Sequence, residues 1–482
     1  MQWSLQSRYA AAAFLFLVCG IAALSFDNLI PLIIPFAIVL LFPLLSLVIT
    51  KTHLVFYALI ALLPLSTEIN FTPSLGLDFP DEFLMMLLTG LLLVKLAYQP
   101  ALLSKNFIKH PLILLLTLHL LWIIISTVFS TDPVLSLKFL LAKTWFIMPF
   151  VTLPYFFVDD KKNFRLLALL LLIPIAFVVV QALIRHVFYQ FSFEGVKEIY
   201  SPFFRNHVNF SAMLVCMLAI LFTMYTLTPT GKTKRMLKAL LLAGIVATIL
   251  AYSRGAWLAL IAGVIAYWLI KKKAIGLSII ITFIILFITS LWLINDKKYL
   301  QFSHDYNTTI FHEDFREHLQ ATVQLKDVSN AERFYRWIAG INMVAEKPIT
   351  GFGPNTFYAN YKSYAERPFK TWVSNNPEHS SVHNYFLLTS LEQGIPGLVF
   401  FCILYFGMIL YSQKLYHSIK DNFYKQVALI AGVILVMIGV LIFVSDLIET
   451  DKIGSLFWLC LGVLIILEKK SIKPGADQSV FL

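Results

Sequence analysis

Arginine and histidine come first, since a guanidinium can hold a phosphate and an imidazole can move a proton near neutral pH. Ser253-Arg254-Gly255 lies between two short apolar runs whose far ends carry Lys232 to Lys238 and Lys271 to Lys273. This pattern predicts a hairpin with Arg254 at its tip, at a membrane interface. There Arg254 either snorkels to lipid phosphate or is a fixed cation for an anionic substrate group. Downstream, Ser329 and Glu332 have the spacing of a capping box and predict a helix to about Glu346, before Lys347-Pro348 ends it. Arg333 and Trp337 share a face of that helix, with Arg336 close to it. A solvated face is the plain alternative. The turn Gly351-Phe352-Gly353-Pro354 follows and is equally readable as a loop or as part of a site.

The third feature is His383-Asn384, nine residues, then Gly394-Ile395-Pro396-Gly397. Glu392 and Gln393 are too polar for mid-membrane, so 383–393 is expected to be an interfacial helix, broken by Gly394 and Pro396. The span proper then starts at Ile395, which puts His383 at the helix start, just outside the bilayer. A single histidine there is structural, solvated or a general base. His379 and His383 have i,i+4 metal-ligand spacing, yet no third ligand is convincingly placed, so no metal site is expected. Arg205, in Phe204-Arg205-Asn206-His207, either joins a phosphate site or anchors at the interface. His207, Trp337 and Glu378 are secondary candidates.

Positioning these residues falls to a membrane-embedded scaffold. The chain has 482 residues, 59% hydrophobic and only 13% charged, where soluble proteins average about 45–50% and about 25%. That excludes a soluble globular protein. Forty-two Phe and 20 Tyr suit lipid-facing and interfacial positions. The +11 charge would point to nucleic acid in a soluble chain; here basic cytoplasmic loops account for much of it, and no nucleic-acid partner is expected. Cys19, Cys216, Cys402 and Cys460 all lie in apolar runs and read as packing residues.

Apolar stretches near 9–25, 29–49, 53–66, 82–98, 111–129, 138–158, 164–187, 208–228, 237–252, 255–270, 274–294, 395–412, 424–444 and 450–467 predict twelve to fourteen spans. The first reads as an uncleaved signal anchor. With a cytoplasmic N-terminus, 21 Lys and Arg fall in inside loops and helix ends and seven outside, the other ten lying in the long segment 295–382. The asymmetry predicts both termini inside. The expected organisation is N-terminal transmembrane helices (1–294), one long outer loop with short helices (295–394), C-terminal transmembrane helices (395–470) and a cytoplasmic tail (471–482). The class is an all-α polytopic membrane protein. Arg254, Arg333, His383 and Arg205 all fall on its outer side.

Taken together, Arg333-x-x-x-Trp337, Pro348-Ile349-Thr350-Gly351-Phe352-Gly353 and His383-Asn384-x9-Gly394-x-x-Gly397 resemble the signature region of the O-antigen ligase and O-antigen polymerase superfamily of bacterial membrane glycosyltransferases. Ser253-Arg254-Gly255-Ala256 is similar to the arginine-bearing turn of that family. The resemblance implies a GT-C-like, metal-independent, inverting transferase in the bacterial inner membrane, working on the periplasmic face without a cofactor. It implies an undecaprenyl-pyrophosphate-linked glycan as donor, with Arg254 and Arg333 as pyrophosphate clamps; Arg205 and Arg336 are further donor-binding candidates by their own positions. His383 carries over as general base, oriented by Asn384. The expected acceptor is a lipid A core sugar; a growing glycan chain and a protein hydroxyl are the alternatives, since all three need the same clamp and base. A lipid-linked glycan transporter or flippase is the non-enzyme alternative, and a non-catalytic assembly scaffold a third class.

Overall fold

The computed structural model describes residues 14, 18–19, 49–72, 75–193, 195–302, 328–370, 374–376 and 379–472. The chain divides into a short N-terminal unit, residues 1–58 together with 482, and a main unit, 59–481, which contains every candidate site residue. The expected spans at 9–25 and 29–49 lie outside the described residues apart from isolated positions. The expected span at 53–66 is an eleven-residue helix, Thr52–Leu62, that tightens through Leu63–Leu65 and gives way to a strand.

The main unit begins with an antiparallel hairpin, β1 (Thr67–Thr72) and β2 (Leu75–Phe79), which apolar periodicity alone did not predict. Among the described residues, twelve long helices follow: α1 (Asp81–Tyr98), α2 (Pro111–Val128), α3 (Pro133–Phe157), α4 (Lys161–Phe188), α5 (His207–Leu227), α6 (Lys232–Leu250), α7 (Arg254–Lys271), α8 (Ile275–Ile294), α9 (Val328–Glu346), α10 (Tyr385–Ser418), α11 (Asn422–Phe443) and α12 (Asp451–Ile472). Among the described residues, eight helices (α2–α5, α7, α8, α10 and α11) are long and apolar enough to cross a membrane. The expected spans 82–98, 237–252 and 450–467 are helical as well, but their charges place α1, α6 and α12 outside that set. The chain is an all-α polytopic membrane protein with one small hairpin.

The helices start where their caps dictate. Asp132, Asp160, Asn206, Asn384 and Asp421 each accept from a backbone N–H in the first turn of the helix that follows. α11 packs along α7, α10 and α12, and α12 along α3, while α10 also lies on α2. α6 packs on α5 much more than on α7, so the predicted hairpin is joined at its tip but splayed.

α10 is interrupted as the glycine and proline predict. Gly394 has φ 71° and ψ 176°, and Pro396 has no N–H to give the Glu392 carbonyl. Non-helical backbone at this depth must be satisfied by protein, and the turn 348–353 does so. Phe352 N–H donates to Leu391 O (2.9 Å), Gly353 N–H to Glu392 O (2.8 Å), and Ile395 N–H to Pro348 O (2.7 Å). From α2, Ser126 Oγ reaches Glu392 O (2.9 Å) and Thr350 O (2.7 Å), and Trp122 Nε1 reaches Gln393 O (2.7 Å). Gly351 (φ 70°) and Gly353 (φ 107°) have no room for a side chain. A Cβ on Gly351 would sit 2.3 Å from the Glu392 carbonyl carbon, and one on Gly353 would sit 1.9 Å from Ser130 Oγ. The open reading of Gly351 to Pro354 thus resolves to a backbone brace between α9 and α10.

Candidate active site

α9, the start of α10 and the corner between α11 and α12 meet at one end of the bundle. Arg336 is buried on α9; one arm of its guanidinium holds Glu332 (3.1 Å) and another donates to the Ser381 carbonyl (3.3 Å). Glu332 also accepts from Ser374 Oγ (2.7 Å), so the carboxylate assigned by sequence to a capping box braces the segment leading to His383. Both terminal nitrogens of Arg336 are thus engaged inside the protein, while its buried Nε has no hydrogen-bond partner among the described residues.

His383 is half-buried, two residues beyond Ser381, with φ 53°. Such a conformation is uncommon for a side-chain-bearing residue and concentrates where function holds it. Its N–H donates to Ser381 Oγ (3.2 Å). Desolvation, with the positive charges of Arg336 and Arg333, pushes the imidazole down from 6.5 to about 3. His383 is therefore neutral at physiological pH, and both arginines are close enough to act on it. Arg333 is half-buried one turn before Trp337, whose ring packs on Phe443 at 6.3 Å.

Arg254 is the first residue of α7, where the helix dipole adds positive potential. The turn before it is tight, with Tyr252 at φ 51°. A Cβ on Gly255 would touch Val444 at 3.6 Å. Phe443 and Val444, adjacent at the end of α11, thus touch Trp337 on one side and the Arg254 turn on the other. Arg254, Arg333 and His383 gather around this corner, from segments 79 and 50 residues apart in sequence.

Asn384 departs from expectation: its Oδ1 accepts from Leu387 N–H (3.0 Å) as the N-cap of α10, and the helix begins at Tyr385. The carbonyl oxygen thus starts a helix. The same boundary undoes the metal spacing, since 379–383 is not helical and His379 instead stacks on Tyr358 at 3.8 Å. Arg205 is exposed just ahead of α5, and no contact among the described residues joins it to Arg254, Arg333 or His383. Its loop does approach the site, since Tyr252 Oη donates to the Phe191 carbonyl (2.8 Å). His207 opens α5 behind the Asn206 cap, and Glu378 lies outside the described residues.

Sequence reasoning missed a buried support for the corner. Lys143 of α3 pairs with Glu449 at 2.6 Å and lies 3.4 Å from Tyr385 Oη. Lys452 pairs with Asp451 and donates to Ser66 Oγ at 2.5 Å. The signal was present: a lysine inside an apolar span requires a partner. Arg185 is likewise engaged, by the carbonyls of Ile199 and Ser201. Of the cations first counted as outer, Lys143, Arg185 and Lys452 are framework, whereas Arg254 lies at the corner.

The arrangement sets the guanidinium groups of Arg336 and Arg333 near a neutral imidazole, with the N-terminus of α7 on the other side of the Phe443–Val444 corner. It can hold an anionic leaving group while a base accepts a proton. No curated protein matches the chain. A family model described as O-Antigen ligase matches residues 239–402. That segment runs from α6 into α10 and contains Arg254, Arg333, Arg336, His383 and Asn384, with Arg205 upstream of it. By this match and by the motifs it encloses, the chain is a multi-pass membrane protein whose segment 239–402 belongs to the O-antigen ligase family.

Proposed function

We propose that this protein transfers a glycan from undecaprenyl pyrophosphate to an acceptor hydroxyl on the periplasmic face, with inversion, and that the acceptor is a lipid A core sugar. The observation that carries the reading is the neutral His383 beside Arg333 and Arg336, with Arg254 across the Phe443–Val444 corner. His383 takes the proton of the acceptor hydroxyl as its oxygen attacks the anomeric carbon. The bond from that carbon to the pyrophosphate oxygen breaks, and the electron pair leaves with the pyrophosphate. Arg254 and Arg333 stabilise the charge that grows there. Arg205 is the entry cation of the donor, on a loop tied to the Arg254 turn. In this scheme the guanidinium groups supply the stabilisation a divalent metal supplies elsewhere, and turnover persists in excess EDTA.

The periplasmic placement rests on the Lys and Arg asymmetry and puts both termini in the cytoplasm of a bacterial inner-membrane protein. The decisive experiment is transfer from a purified undecaprenyl-pyrophosphate glycan by the purified protein, offered in turn lipid A core, free glycan and a protein substrate. Transfer to lipid A core is expected. Transfer to glycan ends alone would make it a polymerase, and to protein alone an oligosaccharyltransferase. Movement of donor across a bilayer without transfer would replace the enzyme reading by a transporter.

A further inference from the structure

At the end of the bundle opposite His383, α4, α5, α11 and α12 line a narrow apolar groove of about 110 Å³. Leu167, Leu171, Leu227, Ile434, Leu459 and Val463 line it. Along α11 the lining extends from Phe423 to Ile434, about 16 Å of helix axis at 1.5 Å per residue. At its mouth is Arg165, exposed, with its guanidinium 5.5 Å from the Phe423 ring centroid. Lys161 beside it pairs with Asp421 (2.6 Å), whereas neither Arg165 nor the exposed Lys162 has an ion pair among the described residues. α4 and α11 both start here, their positive ends capped by the carboxylates of Asp160 and Asp421.

We propose that this groove binds an anionic phospholipid, one acyl chain lying between α4, α5, α11 and α12 and the phosphate held by Arg165 and Lys162. Charge complementarity selects this occupant. The groove is apolar throughout its depth, and its mouth carries Arg165, Lys162 and Lys470 beside the exposed carboxylates of Asp159 and Asp160, so that basic side chains can hold the phosphate of a lipid with no balancing cation. α11 links this site to the catalytic end, since its first turn carries Phe423 and its last residue packs on Trp337. A lipid seated here therefore steadies the helix that forms the active-site corner.

The test uses the full-length protein, purified in detergent and stripped of lipid. Phosphatidylglycerol and phosphatidylcholine with identical chains are added back, and binding is read by native mass spectrometry and thermal unfolding. Retention of phosphatidylglycerol over phosphatidylcholine is expected, with a higher melting temperature. Arg165→Gln and Lys162→Gln, both at exposed positions, should each weaken phosphatidylglycerol binding by about fivefold and leave phosphatidylcholine unaffected. Equal binding of the two lipids, or an Arg165→Gln protein with unchanged selectivity, would overturn the proposal. So would undecaprenyl phosphate displacing phosphatidylglycerol at equimolar concentration, which would make the groove a second polyprenyl site.

Discussion

Arg336 donates to the carbonyl of Ser381 across 3.3 Å, two residues ahead of His383, while Glu332 holds its other arm at 3.1 Å. The geometry of the proposed base is thus set by a buried ion pair on a different helix. Glu332→Gln removes the compensating charge and leaves a buried guanidinium under-paired. Breaking such a pair costs about 3–5 kcal/mol, so a lower melting temperature in detergent is expected, together with a fall in kcat. A variant with wild-type melting and turnover would show that the pair positions nothing.

The pH dependence follows from the same neighbours. His383 has a folded value near 3 against its ordinary 6.5. Between these values the unfolded chain binds a proton that the folded chain does not. The stability contributed by neutral His383 is therefore full above about pH 6.5 and is lost as the pH falls toward 3. In kinetics, the acid limb of kcat/KM should lie well below 6.5. Bound pyrophosphate offsets the arginine charges, so the acid limb of kcat should lie above that of kcat/KM. Both profiles, measured on the purified transferase, test this; identical limbs near 6.5 would count against the assignment.

Arginine and histidine should fail differently. Arg333→Lys keeps the charge but loses the planar fork, so kcat and donor KM should both worsen. His383→Ala should retain donor affinity while transfer falls by about 10²–10⁴-fold. Turnover and donor binding measured on the same preparations separate the two, and near-normal transfer by His383→Ala would end its role as base.

The glycine brace gives a prediction independent of catalysis. Gly351→Ala and Gly394→Ala place a methyl at φ 70° and 71°, within 2.3 Å and 1.9 Å of opposing backbone atoms. Each should destabilise by at least about 1–3 kcal/mol, read as a loss of melting temperature. Gly90→Ala, inside α1 with open space around it, is the control and should melt at or slightly above wild type. Equal behaviour of all three would show that the brace carries no strain.

Much of this was legible before any coordinates, for physical reasons. Hydropathy and charge locate α1 to α8 and α10 to α12 because lipid imposes length and loops collect cations, whereas α9 is located by its capping spacing and the proline after it. The break at Gly394 and the end of α9 before Pro348 follow from backbone chemistry alone. Long-range pairings were not legible: Glu332 with Ser374, Lys143 with Glu449, and the turn at 351–353 with the carbonyls of 391 and 392. Each joins residues that share no periodicity. Asn384 shows the subtler failure, since an N-cap and a histidine-orienting amide have the same local sequence.

The pairing of 348–353 with 391–395 has an architectural consequence. It fixes both ends of an intervening excursion, and the chain from Asn355 to Lys370 is itself packed into the frame: Phe357 N–H donates to the Glu392 carboxylate of α10, Asn342 of α9 donates to the Tyr364 carbonyl, and Tyr361 is fully buried. That excursion carries Tyr358, Tyr361 and Tyr364, with Lys362 5.6 Å from the Tyr358 ring centroid. The excursion is in this respect part of the frame, a wedge of packed rings shared by α9 and α10. Change is therefore expected to be tolerated at its exposed positions, such as Lys362, while Phe357 and Tyr361 hold α9 and α10 in register.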